Sequence, residues 1–265
     1  MLADQELSAI ADQLRAAERD RAPIAPLTES YAGLEPADAY AIQLRNIRRR
    51  TAPVVGHKVG LTSAAMQQMM GVDEPDYGHL LADMRIAEDA PADAGRYCYP
   101  RAEIEVAFVL GADLPGENCG AADVLAATEA LAPAIELIDS RILDWRIGLP
   151  DTIADNASSA GFVLGEARVD PADVDVRAID ATLWRDGAVV AHGRSDAVLG
   201  NPAEAVAWLA RAVARFGVRL KAGHIILPGA CDRAVDAHPG DEFRAEFTGL
   251  GAVSLSFAVP PLMNT

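Results

Sequence analysis

Glu103 and Glu105 stand two residues apart in an otherwise apolar run, Ala102-Glu-Ile-Glu-Val-Ala-Phe-Val-Leu110, and Glu136 interrupts a second one, Ala134-Ile-Glu-Leu-Ile138. The alternation over 102–110 has the period of a β-strand, so both glutamates project from one face while Ile104, Val106 and Phe108 project from the other. An ionised carboxylate is costly to bury alone, so such a face, with a third carboxylate nearby, is either solvated or holds a cation. Half-exposed antiparallel strands often carry Glu on a wet face, and the Glu-x-Glu pair alone fits that arrangement. Glu136 favours the cation, because its flanks are apolar and Pro133 and Asp139 bracket a short strand that looks buried on both faces. An all-oxygen site suits magnesium or manganese rather than zinc or copper.

The elements that must position these groups are readable in outline. Residues 3–21 and 36–50 have helical spacing and are predicted to form a small helical N-terminal region over 1–52, with a β-rich domain over 53–265. Val54 to Leu61 reads as a strand carrying Lys58, Ser63 to Met70 as a short helix and Asp73 to Gly78 as a turn-rich loop, so Lys58 and Asp76 flank one small helix. A helix is expected over roughly 121–131 before the Glu136 strand, and the polar segment 151–159 leads into a strand at Gly161–Leu164. Asp186-Gly187 predicts a hairpin over 179–191. Asn201 and Pro202 open a helix in which Glu204 would complete a capping box; Val206, Leu209, Ala210, Val213 and Phe216 form its apolar stripe, and Gly217 ends it. Strand-like runs follow at 224–227, 242–247 and 252–259.

The whole chain narrows the function. Its 265 residues can bury a sizeable core, and 51% hydrophobic with 23% charged residues is an ordinary globular composition. A formal charge of -16 disfavours nucleic acid and anionic membranes as partners, and the one basic run, Arg48-Arg49-Arg50, reads as the cationic end of a helix. Cys98, Cys119 and Cys231 are scattered, without C-x-x-C spacing; together with an acidic N-terminus unlike a signal peptide, they predict a cytoplasmic protein. No apolar run reaches the roughly 18 residues of a membrane span. Dinucleotide-binding, P-loop, nucleophile-elbow and H-E-x-x-H patterns are missing.

Gly56-His-Lys-Val-Gly-Leu-Thr-Ser63, Glu74-Pro-Asp-Tyr-Gly78, Pro100-Arg-Ala-Glu-Ile-Glu105, Pro133-Ala-Ile-Glu-Leu137 and Asp151-Thr-Ile-Ala-Asp-Asn-Ala-Ser158, taken in order, resemble the 2-hydroxypenta-2,4-dienoate (2-keto-4-pentenoate) hydratase family. That family also holds 2-oxohept-4-ene-1,7-dioate hydratases and 4-oxalocrotonate decarboxylases of aromatic-compound catabolism. The resemblance implies an α+β fold, with a mixed β-roll of fumarylacetoacetate hydrolase-like type and surrounding helices. It implies Glu103, Glu105 and Glu136 as ligands of Mg2+ or Mn2+, and a small 2-oxo or 2-hydroxy-dienoic acid as substrate. The implied reaction protonates the dienol at C5 and adds water at C4, giving 4-hydroxy-2-oxopentanoate. Lys58 would stabilise the enolate oxygen or carboxylate and shuttle a proton, Asp76 would orient Lys58 or the water, and Ser158 would hydrogen-bond substrate or water. His57 should point to the opposite strand face from Lys58.

The same motifs fit a decarboxylase or a diacid hydratase. A diacid needs a cation at the far end of the pocket, for which Arg101, Arg141 and Arg233 are candidates; residues 228–241 look more like the monoacid hydratases. A non-catalytic partner subunit is a further alternative, against which the carboxylate triad and Lys58 argue. The resemblance also implies a homo-oligomer, with a pathway aldolase or decarboxylase as a conceivable partner.

Overall fold

The computed structural model describes residues 2–259. In chain order it forms α1 (Asp4–Asp20), α2 (Leu27–Ser30), α3 (Pro36–Arg48), β1 (Val54–Gly60), α4 (Ala64–Met70), β2 (Asp76–Leu81), β3 (Arg101–Leu110), α5 (Ala121–Ala127) and β4 (Thr128–Ile138). Then come α6 (Leu149–Ala154), β5 (Ser159–Leu164), β6 (Asp180–Arg185), β7 (Ala188–Arg194), α7 (Pro202–Ala214), β8 (Ile225–Leu227), β9 (Val235–Asp236), β10 (Glu242–Phe247) and β11 (Gly251–Ser256).

The larger sheet runs β2-β1-β8-β3-β4-β5, with β9 on β3; β1 and β8 are parallel and the other pairs antiparallel. Its ends meet: Arg85, just after β2, bridges to Phe162 of β5, so the sheet curls into a roll. This is the expected α+β architecture with a mixed β-roll. Strand alternation divides its residues between two faces. Ile104, Val106 and Phe108 enter a large core shared with Leu209 and Val213 of α7 and with Phe243, Ala245 and Phe247 of the second sheet, β11-β10-β6-β7. On the other face Leu80, Ala107, Ala134, Phe162 and Leu227 form a smaller cluster inside the curl.

The N-terminal helices have their own cluster, in which Leu7, Ile10 and Leu14 of α1 and Ile42 of α3 meet Leu27, Ile142 and Ile153. The basic run caps α3 as expected and also reaches α1, where Arg49 pairs with Asp12 and Arg50 with Glu18. A buried amide ties these helices to the roll: Gln43 Nε2 donates to the carbonyls of Tyr77 in β2 (3.0 Å) and Ile153 in α6 (2.8 Å).

Several expected elements differ. The helix expected over 121–131 stops at Ala127; Thr128 starts an eleven-residue strand that runs through Pro133. Pairing with β3 along almost its whole length outweighs local helical spacing, and Pro133 accepts from Gly165 through its carbonyl while needing no N–H of its own. Asp76 to Gly78 belong to a strand rather than a loop, because β1 supplies the partner. Asn201 caps α7 through a bond from Ala203 N, with no capping box to Glu204, and Phe216 lies beyond the helix end, half exposed. The Asp186-Gly187 turn is as expected, with both residues at positive φ.

Replacing Gln43 by Ala strands two buried carbonyls, so Gln43→Ala is expected to destabilise the protein by about 2–4 kcal/mol. Gln13→Ala, which removes an exposed bond to the Tyr31 hydroxyl, should change stability by less than about 0.5 kcal/mol. Urea denaturation of both variants checks this; equal effects would mean that Gln43 does not tie the helices to the roll.

Candidate metal centre

The strand registers bring the three glutamates together. Glu103 of β3 lies directly opposite Glu136 of β4, and Glu105 is one step further along the same face. One carboxylate oxygen from each lies within 4.8 Å of the others, and Glu105 and Glu136 are fully buried. Like charges directly opposite in a sheet destabilise it, so this face is not an ordinary wet surface. Two oxygens are oriented by the protein: Gly229 N donates to Glu105 Oε2 at 2.7 Å, and Ser159 Oγ donates to Glu136 Oε1 at 2.9 Å. The remaining oxygens, Glu105 Oε1 and Glu136 Oε2, are buried without a hydrogen bond. Carboxylates oriented at one oxygen and left open at the other fit a hard divalent cation.

Lys58 supplies the nearest positive charge. It is buried on β1, with Nζ 3.4 Å from Glu136 Oε2 and donating to the Ala157 carbonyl at 3.1 Å. Burial works to lower its pKa, but Glu136, Glu103, Asp76 and Glu105 outweigh that and hold it above the ordinary lysine value. Asp76 sits diagonally across β1–β2 from Lys58, opposite Gly60. A Cβ on Gly60 would lie 2.2 Å from Asp76 Oδ1 and 3.5 Å from Lys58 Nζ, so the two charged groups occupy the space that glycine leaves. Asp76 Oδ2 accepts from Thr152 Oγ1 at 3.4 Å, and that hydroxyl is 3.3 Å from Ser158 Oγ, which joins Ser158 to the group. Asp76 Oδ1 is buried and unpartnered; burial raises its pKa, and Lys58 opposes the shift.

Ser158 ends an unusual turn. The segment expected as a polar loop is α6 followed by Asn156, Ala157 and Ser158, with φ of 57°, 50° and 58°. Left-handed backbone costs roughly 1–2 kcal/mol for a residue with a Cβ, so the surroundings must hold it. Arg141 does so on one side, donating from N and Nε to the Asp155 carboxylate and from Nη2 to the Asp155 carbonyl. Asn156 does so on the other, bonding His79 N and O of β2 at 2.8 and 3.0 Å.

The structure thus gathers Lys58, Asp76, Glu103, Glu105 and Glu136 together, with Ser158 joined to them through Thr152. It also assigns places to Ser159, Thr152 and Gly229, which single-residue reading missed because a serine, a threonine or a glycine carries no pattern until the strands pair. His57 points away from Lys58, as expected, and contacts His79 and His224, with ring centroids 4.8 and 5.9 Å apart. Burial, with His79 adding, holds the His57 imidazole well below its ordinary pKa, and burial lowers His79 to about 4. Of the arginines weighed for a second substrate carboxylate, Arg141 is committed to Asp155, Arg101 pairs with Asp236 and covers Trp145, and Arg233 donates to the Val190 carbonyl.

The chain is similar to known proteins over nearly its whole length. Residues 77–257 match the model of the fumarylacetoacetate (FAA) hydrolase C-terminal family. The chain is 41% identical over 256 residues to a 2-keto-4-pentenoate hydratase of Paraburkholderia xenovorans, covering 96% of this chain and 95% of the relative. It is also 41% identical over 257 residues to a 2-oxo-hept-4-ene-1,7-dioate hydratase of Escherichia coli, covering 94% and 96%. A solved structure of 4-oxalocrotonate decarboxylase from Pseudomonas putida G7, complexed with magnesium and adipate, superposes with a TM-score of 0.93 at 35% identity, covering 97% of this chain and 99% of that one.

Cation binding by these glutamates would depend on pH. Burial pushes Glu103 up to about 7 despite Lys58, and pushes Glu105 well above the ordinary range. From the ordinary glutamate pKa up to about 7, folded Glu103 keeps a proton that the unfolded chain has released. The metal-free protein therefore loses stability as pH rises through that window. A cation needs both carboxylates bare, so protons compete with it throughout that window and below it. The rise in Tm on adding Mg2+ to chelator-treated protein is expected to be larger at pH 8 than at pH 6. Calorimetry checks it, and an equal or smaller rise at pH 8 contradicts the site.

Proposed function

The chain belongs to the fumarylacetoacetate hydrolase family, and on that footing we propose that it is a divalent-metal-dependent hydratase converting 2-hydroxypenta-2,4-dienoate to 4-hydroxy-2-oxopentanoate. The observation that carries the reading is the convergence of three glutamates, two of them fully buried, on a buried lysine and a buried aspartate with a free oxygen. When bound by Glu103, Glu105 and Glu136, magnesium or manganese supplies a Lewis acid for the carboxylate and C2 oxygens of the substrate.

The chain's own residues divide the remaining work. The substrate is an anion whose C2 oxygen gains negative charge, and Lys58, held protonated by its neighbours, places a fixed ammonium beside it. That makes Lys58 a stabiliser of charge more than a base. Proton movement falls to Asp76, whose unpartnered Oδ1 and raised pKa suit a group that both gives and takes protons. As the 2-hydroxyl loses its proton, C5 gains one; water then adds at C4 and a proton enters at C3. Ser158, linked to Asp76 through Thr152, orients the water or the substrate.

The engagement of Arg101, Arg141 and Arg233 elsewhere favours a monoacid over a diacid. Diacid hydration and decarboxylation form the second reading, because relatives of both kinds match nearly the whole chain. The same proposal takes residues 53–265 as the catalytic unit with 1–52 as its helical flank. It includes a homo-oligomer serving aromatic-compound breakdown, with a pathway aldolase or decarboxylase as neighbour.

With Mg2+ present, the purified protein should remove the dienol absorbance of 2-hydroxypenta-2,4-dienoate, lose that activity to a chelator and regain it with Mg2+ or Mn2+. Glu105→Gln should lose metal binding and turnover together, whereas Lys58→Met should keep metal binding and lose roughly 10²–10⁴ in kcat. Turnover of a diacid analogue but not of the monoacid would sink the substrate assignment. Full activity in Glu105→Gln would sink the metal site.

A further inference from the structure

The turn at 156–158 has a second anchor that the reaction scheme leaves unused. Asn156 lies on the free edge of β2, where its side-chain amide accepts from His79 N and donates to His79 O, as a neighbouring strand would. Its own carbonyl rests against Gly78, where a Cβ would come within 2.3 Å of the Asn156 oxygen. Gly78 is the cross-strand partner of Lys58, so the turn crosses β2 at the level of the lysine. The next carbonyl, that of Ala157, accepts from Lys58 Nζ at 3.1 Å, and Ser158 follows. On its far side Ser158 O accepts from Asp139 N at 2.8 Å.

From this juxtaposition we propose that Asn156 is a positioning residue: its amide clamps the left-handed turn to β2 so that the Ala157 carbonyl fixes the direction of the Lys58 ammonium. The inference rests on the hydratase reading for its kinetic consequence, but the placement of Lys58 stands apart from any substrate. The Ala157 carbonyl is a neutral acceptor at 3.1 Å, whereas Glu136 Oε2, at 3.4 Å, makes no hydrogen bond. Without the carbonyl, the ammonium turns wholly to the carboxylates and leaves the point at which it would meet substrate. Arg141 holds the entry to the turn, through Asp155, and Ser158 reaches β2 only indirectly, through Thr152 to Asp76, whereas Asn156 bonds the β2 backbone directly.

The chain has two lysines, Lys58 and Lys221, which makes a direct observation possible. Protein with 15N-labelled lysine side chains gives a buried Lys58 signal, with Lys221 as internal reference. Asn156→Gly is the informative variant, because glycine adopts the left-handed backbone freely but has no amide. The expected result is a shifted or exchange-broadened Lys58 signal beside an unchanged Lys221 signal. With it should come a 10- to 100-fold loss of kcat, KM within about 3-fold and unaltered Mn2+ affinity by calorimetry. A folded Asn156→Gly with an unmoved Lys58 signal and near-normal kcat overturns the proposal and reduces Asn156 to an edge-strand partner. Should glycine prevent folding, Asn156→Asp, which keeps the acceptor for His79 N and loses the donor to His79 O, must show the same Lys58 shift; an unmoved signal there overturns the proposal equally. If the unmutated protein hydrates no 2-oxo acid, the hydratase reading fails, while the Lys58 signal in Asn156→Gly still decides the positioning role.

Discussion

Buried negative charge sets the terms for this protein. Four carboxylates, Asp76, Glu103, Glu105 and Glu136, converge on one ammonium, that of Lys58. Two charges about 5 Å apart repel by roughly 3 kcal/mol at an effective dielectric near 20, so the cluster cannot be neutral ballast. Lys58 offsets part of the repulsion, and proton uptake by Glu103 and Glu105 offsets more. Both remedies point to a site short of positive charge. A divalent cation would supply it, and the shortage is also what would draw the cation in.

The fold is arranged to keep that cluster intact. The apolar face of β3 and β4 is sealed against α7 and the second sheet, so the strands carrying the glutamates cannot rotate to expose them. On the opposite face Phe162, Leu80 and Leu227 pack within the curl of the sheet, on the strands that surround the acids. The N-terminal helices close the side near Ile142 and Ile153. Low dielectric strengthens every interaction inside, attractive or repulsive, which is why the orienting bonds from Gly229 and Ser159 matter as much as the carboxylates themselves.

The parts of this arrangement that were legible in the sequence were those with a local signature. The two-residue period of 102–110 placed Glu103 and Glu105 on one face, and the hairpin at Asp186-Gly187 had its own turn chemistry. The family resemblance brought in Lys58, Asp76 and Ser158. The end of α5 was not legible, because Thr128 to Leu131 suit a helix locally and become a strand only when β3 lies alongside. Likewise nothing in Asp151 to Ser158 announces three left-handed residues in succession. That conformation is imposed by Arg141 and by β2, partners distant in sequence.

The two buried cations show how residue choice follows the job. Arg141 has to grip a carboxylate and a carbonyl of the same residue, and a planar guanidinium with several fixed donors does this while remaining charged under all conditions. Lys58 faces a different demand: several acceptors around one point, none of them gripping it in a fixed pair. A compact ammonium on a flexible stem can redistribute three donors among such partners, but for the same reason it has no preferred direction of its own. Direction has to come from a rigid acceptor, and a backbone carbonyl in a strained turn is rigid because the turn is held at both ends. The left-handed residues at 156–158 are thus the structural cost of giving that ammonium a direction.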